Sequence, residues 1–276
     1  MYAKKGIWPA GNQCAAMITV NLDAEYFIKI FHPDADVDDG DSYAMGRNGM
    51  LFGLPRLLDV FDDHGIKATF FIPADVARRY PDQVKEIARR GHEIGCHGDR
   101  HENLALLTGE EQRKVLQGAK ETLREITGFD PVGFRMPEGE ITMETLQIVK
   151  ELGFRYSSSL SNSDFPYLHK EIGLLELPTD WALYDLPYFA FVFDPPVQHR
   201  ITPADDVLVN WQKELEGACE WGTLYNLQLD PQAIGERGRI FVLDELFKAM
   251  KEKGDIWFAT GTEVQAYCTE SGQFLE

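Results

Sequence analysis

The sequence contains few cysteines, comparatively few basic side chains and no long apolar run. Its four cysteines, Cys14, Cys96, Cys219 and Cys268, are widely separated in a chain of 276 residues and form no Cys-x-x-Cys motif, which disfavours a disulfide framework. No stretch approaches the roughly 18 apolar residues of a membrane-spanning helix, and the first twenty residues lack a signal-peptide pattern. We therefore expect reduced thiols in a cytoplasmic protein.

The scarcity of positive charge restricts the partners. The 27 Lys and Arg residues face 45 Asp and Glu residues, a net charge of −18, and this field repels phosphate backbones and anionic lipids. We expect neither a nucleic-acid nor a membrane partner. Hydrophobic residues make up 44% and charged residues 26% of the chain, which is typical of a globular protein with a sizeable core.

Strand and helix patterns alternate along most of the chain. Predicted strands cover 15–23, 67–73, 93–97, 132–137, 154–159, 223–230 and 255–260. Predicted helices cover 54–66, 82–92, 109–128, 142–153, 205–218, 238–252 and a last segment from Thr262, and Thr108 with Glu111 predicts a capping box. This alternation predicts an α/β fold, a TIM-like barrel of six or seven strand-helix pairs in one domain over 1–276.

Two stretches interrupt the alternation. Residues 28–50 carry five aspartates and three glycines after the first strand, where barrel active-site loops lie, and we expect a lid or rim there. A calcium loop is disfavoured because no glutamate stands at the twelfth position. The aromatic stretch 188–196 is more apolar than a solvated loop and predicts either a strand or a subunit interface.

The segment "GHEIGCHGDRHENL" (91–104) contains three of the seven histidines, together with glycines at positions 91, 95 and 98. His97 and His101 follow a predicted strand, and Gly98 between them allows the backbone to turn so that both imidazoles converge. In "VNLDAEY", strand alternation places Asn21, Asp23 and Glu25 on one side. Two imidazoles and a carboxylate are typical ligands of catalytic Zn²⁺, or of Co²⁺, Mn²⁺ or Fe²⁺. The alternative is a packing histidine beside a surface histidine.

The segment from "HGIKATFFIP" through "GHEIGCHGDRHENL" resembles the polysaccharide deacetylase family, the NodB-homology group of carbohydrate esterases. The closest similarity is to its cytoplasmic peptidoglycan-deacetylase-like and allantoinase-like branch. The resemblance implies a distorted (β/α)7 barrel, hydrolysis of non-peptide C–N bonds with one divalent metal, zinc first, and a homotetramer. It implies that Asp23, His97 and His101 are the metal ligands.

Further segments match the family's motifs. In "GFRMPEG", Arg135 and Pro137 correspond to the motif whose arginine holds the catalytic carboxylate; an arginine of a structural ion pair is the alternative. In "PTDWALYDLP", Asp180 and Trp181 correspond to residues over the substrate, with a core tryptophan as the alternative.

Two positions depart from the family's pattern. Asn21 stands where the general base is expected, and an amide cannot take a proton from water; Glu25, Asp99 and Glu138 are the candidate replacements. Asp230 stands where a histidine protonates the leaving nitrogen. Asp230 could act as an acid only if burial or a neighbouring carboxylate raised its pKa, and a cap before Pro231 is the alternative.

These two departures favour a small amide, rather than an acetylated sugar, as the substrate. Cyclic imides, hydantoins and ureides need less proton assistance, because the released nitrogen stays conjugated to a carbonyl. Arg135 would stabilise the oxyanion, and the expected substrate contacts are Asn21, Glu138, Asp180 and Trp181. The alternatives are a sugar N-deacetylase that uses Glu25 and Asp230, and a catalytically silent barrel that binds a ligand through the acidic loop 32–41.

Overall fold

The computed structural model describes residues 7–30, 36–38, 40–190 and 200–274. Within these ranges nine strands form one sheet: β1 Cys14–Asn21, β2 Thr69–Ile72, β3 Glu93–Cys96, β4 Gly133–Phe134, β5 Tyr156–Ser157, β6 Tyr167–His169, β7 Leu174–Glu176, β8 Leu224–Leu229 and β9 Ile256–Phe258. The strand order is β6-β7-β5-β4-β3-β2-β1-β8, and β9 pairs with β1.

Ten α-helices accompany the strands in the described ranges: α1 Gly40–Asn48, α2 Leu54–Asp63, α3 Ala74–Arg79, α4 Pro81–Arg89, α5 Gly109–Thr127, α6 Met143–Glu151, α7 Leu186–Phe189, α8 Ala204–Trp221, α9 Ile240–Lys253 and α10 Gly261–Ser271. A π-helical turn over Gly49–Gly53 joins α1 to α2, and Ala24–Ile30 forms a 3-10 helix. No described helix has the length and apolar content needed to cross a bilayer.

The predicted parallel pairing is confirmed for the strands β1 to β5, which lie side by side and parallel. The predicted capping box also forms, since Thr108 Oγ1 accepts from the Glu111 backbone N–H and Glu111 Oε2 accepts from the Thr108 N–H at 2.9 Å. The sequence pattern missed α3 and the antiparallel pair β6–β7. Both consist of short segments with too few residues to show a period.

Two predictions for the irregular stretches were incomplete. Most of 28–50 is helical rather than a loop, because α1 and the π-helical turn occupy it, while 31–35 and residue 39 lie outside the described residues. The aromatic stretch 188–196, predicted as a strand or a subunit interface, begins within the helix α7, and its residues 191–196 lie outside the described residues.

The contacts within the chain group into two compact units. The first contains 1–16, 23–66 and 180–258, and the second contains 17–22, 67–179 and 259–276. The first unit includes α1, α2, α8, α9, β8 and β9, and the second includes β2 to β7 and α3 to α6. The strand β1 contributes residues to both units.

Within the first unit, the π-helical turn crosses the segment after β8 at two glycines. A Cβ atom on Gly53 would lie 2.1 Å from the Pro231 carbonyl oxygen, and a Cβ on Gly235 would lie 2.5 Å from the Gly53 Cα. Real Cβ atoms do not approach backbone atoms this closely. Only glycine at both positions therefore allows this close crossing beside Asp230.

The close crossing predicts that Gly-to-Ala substitutions at positions 53 and 118 change the free energy of unfolding in opposite directions. Gly53→Ala should lower the free energy of unfolding by about 2–3 kcal/mol, because the methyl group meets rigid backbone. Gly118→Ala is the matched control: this exposed glycine within α5 has no neighbour within 4 Å, and alanine should stabilise the helix by about 0.5–1 kcal/mol. Urea unfolding of both variants measures the difference, and equal stabilities would contradict the close crossing.

Candidate metal centre

The parallel ladder brings the carboxyl ends of neighbouring strands to one edge of the sheet. Backbone bonds continue past the strand ends: Leu22 N–H donates to Phe71 O at 2.9 Å and Arg135 N–H donates to Cys96 O at 3.0 Å. The residues that directly follow β1, β3 and β4 therefore emerge together. This edge is where parallel α/β folds place their binding sites.

Asp23, His97 and His101 form the candidate metal centre. One carboxylate oxygen of Asp23 and one ring nitrogen from each histidine all lie within 4.8 Å of one another. The three residues are at most 2% exposed. Burying a carboxylate beside two imidazoles is costly without a cation or hydrogen bonds, and this donor set is typical of Zn²⁺ and related divalent ions.

His97 is oriented by its second ring nitrogen. Nδ1 lies 2.9 Å from the carbonyl oxygen of Arg135, and a carbonyl only accepts, so Nδ1 carries the proton and donates. The neutral tautomer then leaves the Nε2 lone pair available to a metal ion. This arrangement is the usual one for a metal-binding histidine, and it supports the fit of the three residues to a divalent metal.

The backbone is strained at the candidate ligands. His101 has φ 58°, and Ala24, which directly follows Asp23, has φ 47°. Non-glycine residues rarely adopt this left-handed region, and such strain concentrates at functional sites. Gly98, between the two histidines, has φ 73°, which confirms the predicted turn.

Hydrogen bonds fix the loop between the two histidines. Ala74 N–H donates to Gly98 O at 3.1 Å and Asp75 N–H donates to Asp99 O at 2.9 Å. The Asp99 side chain pairs with Arg78 at 2.5 Å, and Glu102 Oε2 accepts from the Asp99 N–H at 3.0 Å. Asp99 thus anchors the loop. This structural role explains why an aspartate stands here without assigning it the function of a base.

The buried Arg135 guanidinium holds Asn21. Its Nη1 donates to Asn21 Oδ1 at 2.9 Å and to Thr19 Oγ1 at 3.0 Å, while Nε and Nη2 donate to Ser158 O and Oγ at 2.8 and 2.9 Å. The guanidinium also lies over the Phe71 ring at 4.2 Å. Because Arg135 only donates, the Asn21 atom facing it must be Oδ1, and the Asn21 amide NH₂ points elsewhere as a donor.

The strand argument for Glu25 was wrong. β1 ends at Asn21, and the 3-10 helix Ala24–Ile30 begins before Glu25. The alternation that put Asn21, Asp23 and Glu25 on one side therefore does not extend to Glu25. Glu25 is nevertheless buried, at 1% exposure, in the first turn after Asp23.

Asp230 lies at the end of β8 beside a second buried aspartate, Asp185. Both side chains have no exposed surface. Asp185 Oδ2 accepts from the backbone N–H groups of Asp230 and Ile234 at 2.9 and 3.1 Å. The Tyr184 hydroxyl and the Asp185 carboxyl contact the Asp230 carboxyl, although neither of its oxygens has a hydrogen-bond partner of normal geometry among the described residues. A buried carboxyl in this situation is the exception in proteins and calls for a structural or catalytic explanation.

The environment of this pair raises both pKa values. Burial, then the negative charges of Asp185 and Asp23, holds the pKa of Asp230 well above its usual range. Burial raises the pKa of Asp185 to about 7, against the N–H groups of Asp230 and Ile234, which lower it. Two adjacent buried carboxyls cannot both ionise cheaply, so the pair retains a proton near neutral pH.

The remaining predicted substrate contacts lie in more exposed positions. Asp180 Oδ1 accepts from the Ala182 N–H at 2.8 Å and caps a short 3-10 helix, Trp181–Leu183. Trp181 is 69% exposed and is therefore not a core residue. Glu138 Oε2 lies 3.9 Å from His101 Nδ1, and its side chain is 29% exposed.

Sequence reasoning missed Asp185, Thr19 and Ser158. Asp185 directly precedes α7, and an aspartate before a helix is normally explained as a cap. Thr19 and Ser158 lie in or after strands whose patterns predict only burial. A buried arginine such as Arg135 does predict hydrogen-bond acceptors around it, but the sequence does not say which residues supply them.

The geometry predicts stoichiometric metal binding. The purified full chain should bind one divalent ion, and His97→Ala should weaken binding by about 100-fold or more, since even indirect supporting residues contribute 10- to 100-fold. Isothermal titration of the apo protein with Zn²⁺ measures this. His64→Gln serves as the control because His64 is buried and bonded to Asp244, away from the ligand cluster. Equal Zn²⁺ affinity in both variants would contradict the assignment of His97.

The Asp185 pKa predicts how stability depends on pH. A folded-state pKa of about 7, above the ordinary 3.8, means that the contribution of Asp185 is complete below about pH 4 and is lost as pH rises through 7. Asp185→Asn keeps an acceptor oxygen and removes the titration, so it should flatten this loss, which is on the order of 4 kcal/mol for a shift of about three pKa units. Urea unfolding from pH 4 to 8 tests it. Asp63→Asn, at an exposed position of α2, is the control, and its profile should match the original over that range.

Comparison with known proteins identifies relatives of this chain in sequence and in structure. The family model described as polysaccharide deacetylase matches residues 38–157. A peptidoglycan deacetylase of Helicobacter pylori is 28% identical over 200 residues, which cover 63% of this chain and 68% of that protein. A crystal structure from Mycobacterium smegmatis, of a protein classed with the polysaccharide deacetylases, is 34% identical with TM-score 0.90 and covers 98% of this chain and 94% of its own.

The structure of the allantoinase Puue has the same fold, with TM-score 0.82 at 21% identity, and the match covers 95% of this chain and 92% of that one. The predicted α/β fold, the distorted (β/α)7 barrel of these neighbours, is thereby confirmed. The enzymes of this family are metal-dependent, in agreement with the Asp-His-His cluster. On the family model and the full-length structural match, this chain belongs to the polysaccharide deacetylase family.

Proposed function

We propose that this protein is a metal-dependent hydrolase of a C–N bond in a small amide, with a cyclic imide or ureide as the substrate class. The observation that carries the proposal is the buried cluster of Asp23, His97 and His101, with ligand atoms within 4.8 Å. These three residues would hold the ion, and we propose Zn²⁺. A bound divalent ion in such a site polarises the carbonyl and lowers the pKa of water.

In this proposal Asn21 binds the substrate and Arg135 positions Asn21. Four donor contacts of Arg135 go to Thr19, Asn21 and Ser158, so the guanidinium is occupied by the protein. From the sequence, Arg135 is expected to stabilise the oxyanion. We assign this role instead to the Asn21 NH₂ group, which is a hydrogen-bond donor. A neutral amide donor suits the oxygen of a carbonyl that becomes negative during attack.

Asp230 supplies the proton to the leaving nitrogen. Its raised pKa, caused first by burial and then by Asp185 and Asp23, keeps a carboxylic acid protonated near neutral pH. Asp185 is a positioning residue, because it fixes the Asp230 backbone at 2.9 Å and shares the proton of the pair. This separation of roles between adjacent carboxyls is a known route to acid catalysis at neutral pH.

We propose Glu25 as the proton acceptor. Of the three candidate bases, Asp99 is ion-paired with Arg78 at 2.5 Å, and Glu138 lies next to His101, where a carboxylate orients the imidazole. Glu25 is buried, at 1% exposure, and lies two residues after Asp23.

The substrate class follows from the amide at position 21. A carboxylate base contributes about 10²–10⁴-fold to hydrolysis, and an enzyme with an amide in this position favours substrates that open with little proton assistance. Trp181, at 69% exposure, can cover one face of a flat ring, and Asp180 lies beside it.

The second candidate is an N-acetyl sugar deacetylase. Family membership and the similarity to a peptidoglycan deacetylase favour it. In that case Glu25 and Asp230 would replace the usual base and acid on a larger substrate. A silent ligand-binding barrel is the third candidate.

Substituting position 21 separates these candidates. Zn²⁺-loaded protein is assayed for ring opening of hydantoins, cyclic imides and ureides, and for acetate release from N-acetylglucosamine oligomers. We expect turnover only with the cyclic amides. Asn21→Asp should lower kcat with these substrates, because a carboxylate replaces the NH₂ donor to the oxyanion. With poorly activated amides it should raise the rate by about 10- to 100-fold, because it supplies a carboxylate base. Glu25→Gln and Asp230→Asn should each lower kcat by about 100-fold or more.

The same assays include a control variant and can select either of the other two candidates. Glu110→Gln, on the exposed first turn of α5, is the matched control and should keep full activity. Acetate release from the oligomers without cyclic-amide turnover selects the sugar deacetylase. Stoichiometric metal with no turnover by the original protein or by Asn21→Asp selects the silent barrel.

A further inference from the structure

Two cysteines that are far apart in the sequence meet in the structure. Cys14 begins β1 and Cys219 lies in the last turn of α8, 205 residues later, yet their Sγ atoms are 3.1 Å apart. Both belong to the first compact unit. Cys96 and Cys268 are buried free thiols as well. The sequence spacing that suggested four isolated thiols therefore misses a dithiol.

Hydrogen bonds fix the segments that flank the two sulfur atoms. On one side the Gln13 N–H donates to Asp255 O at 2.8 Å. On the other side Trp8 Nε1 donates to Gly222 O at 3.0 Å, three residues beyond Cys219. A disulfide requires an S–S separation of about 2.05 Å, so the sulfurs have only about 1 Å to close. Side-chain adjustment can supply this, because the segments are already fixed opposite each other.

The two thiols are electrostatically unequal. The contact with the Cys14 thiol and then the positive charge of Lys253 lower the pKa of Cys219. The hydrogen bond with Cys219, burial and the nearby Cys219 sulfur raise the pKa of Cys14. Of the two, Cys219 is therefore the thiol that more readily loses its proton to give the thiolate, the reactive form toward oxidants, and Cys14 is the adjacent thiol that can resolve an oxidised partner.

We propose that Cys14 and Cys219 form a peroxide-sensitive disulfide site. The Cys219 thiolate attacks one oxygen of hydrogen peroxide, the O–O bond breaks, and with one proton the products are a sulfenic acid and water. The Cys14 sulfur then attacks the Cys219 sulfur, the S–O bond breaks, and a second water leaves with the Cys14 proton. Overall, two thiols are oxidised and one peroxide is reduced to two waters.

The bond would join the beginning of β1 to the end of α8. It closes a loop of 205 residues, and cross-links over long loops remove the most freedom from the unfolded chain. Its position is remote from the metal ligands along the strand. Cys14 and Asn21 are the two ends of β1, about 23 Å apart at 3.3 Å per residue. Oxidation should therefore raise stability and leave metal binding unchanged.

The test treats the folded full chain with a small excess of hydrogen peroxide. We expect a loss of about 2 Da, the two thiol hydrogens, and a Cys14–Cys219 cross-linked peptide on non-reducing mapping. The midpoint of thermal unfolding should rise by roughly 5–10 °C and return after reduction with dithiothreitol. Cys96→Ser, which removes a different buried thiol, should behave as the original chain.

Several results would overturn the proposal. One is addition of oxygen, in steps of about 16 Da, without the cross-linked peptide; another is a cross-link that persists in Cys14→Ser or Cys219→Ala. Two variants are used so that one poorly folded protein does not decide the result, and circular dichroism checks each fold. Zn²⁺ titration before and after oxidation keeps this site distinct from the proposed hydrolase: the cross-link can form whether or not the chain has activity.

Discussion

The burial of the Arg135 guanidinium is the constraint on which the candidate site depends. A buried positive charge is costly by several kcal/mol unless its N–H groups are saturated. The side chain is 3% exposed, and its donors reach Thr19 and Asn21 of β1 and Ser158 just after β5. The charge is accommodated only where the carboxyl ends of these strands converge, so the same requirement that stabilises Arg135 also fixes Asn21.

A second electrostatic constraint concerns the burial of negative charge. Asp23, Asp185 and Asp230 are all buried in a chain with net charge −18. Burial and the other two carboxylates raise the pKa of Asp230, so the protein accommodates this negative charge partly by retaining protons. A cation held by Asp23 and the two histidines would offset the remainder. Metal binding at these residues would therefore be linked to the proton on Asp230, because each responds to the charge on Asp23.

The sequence indicated the scaffold more completely than the details of the site. Apolar periodicity located the main strands and helices, and the Thr108–Glu111 capping box could be read directly, since its signal lies within four residues. The pattern could not show that β1 ends before Glu25, because the left-handed turn at Ala24, φ 47°, is set by tertiary packing. Nor could it distinguish Asp185 from an ordinary helix cap. Its buried role depends on contact with the backbone of Asp230, 45 residues away.

The carboxylate of Glu93 bonds the helix α10 to the sheet, and this contact has a consequence for protein engineering. At the amino end of β3, it accepts from Thr69 Oγ1 and Tyr156 O–H at 2.8 Å, and from the Thr262 backbone N–H at 2.9 Å in the first turn of α10. Deleting α10 would therefore leave an acidic group short of donors inside the sheet's base. A shortened version that ends after β9 would need a neutral residue at position 93 to remain folded.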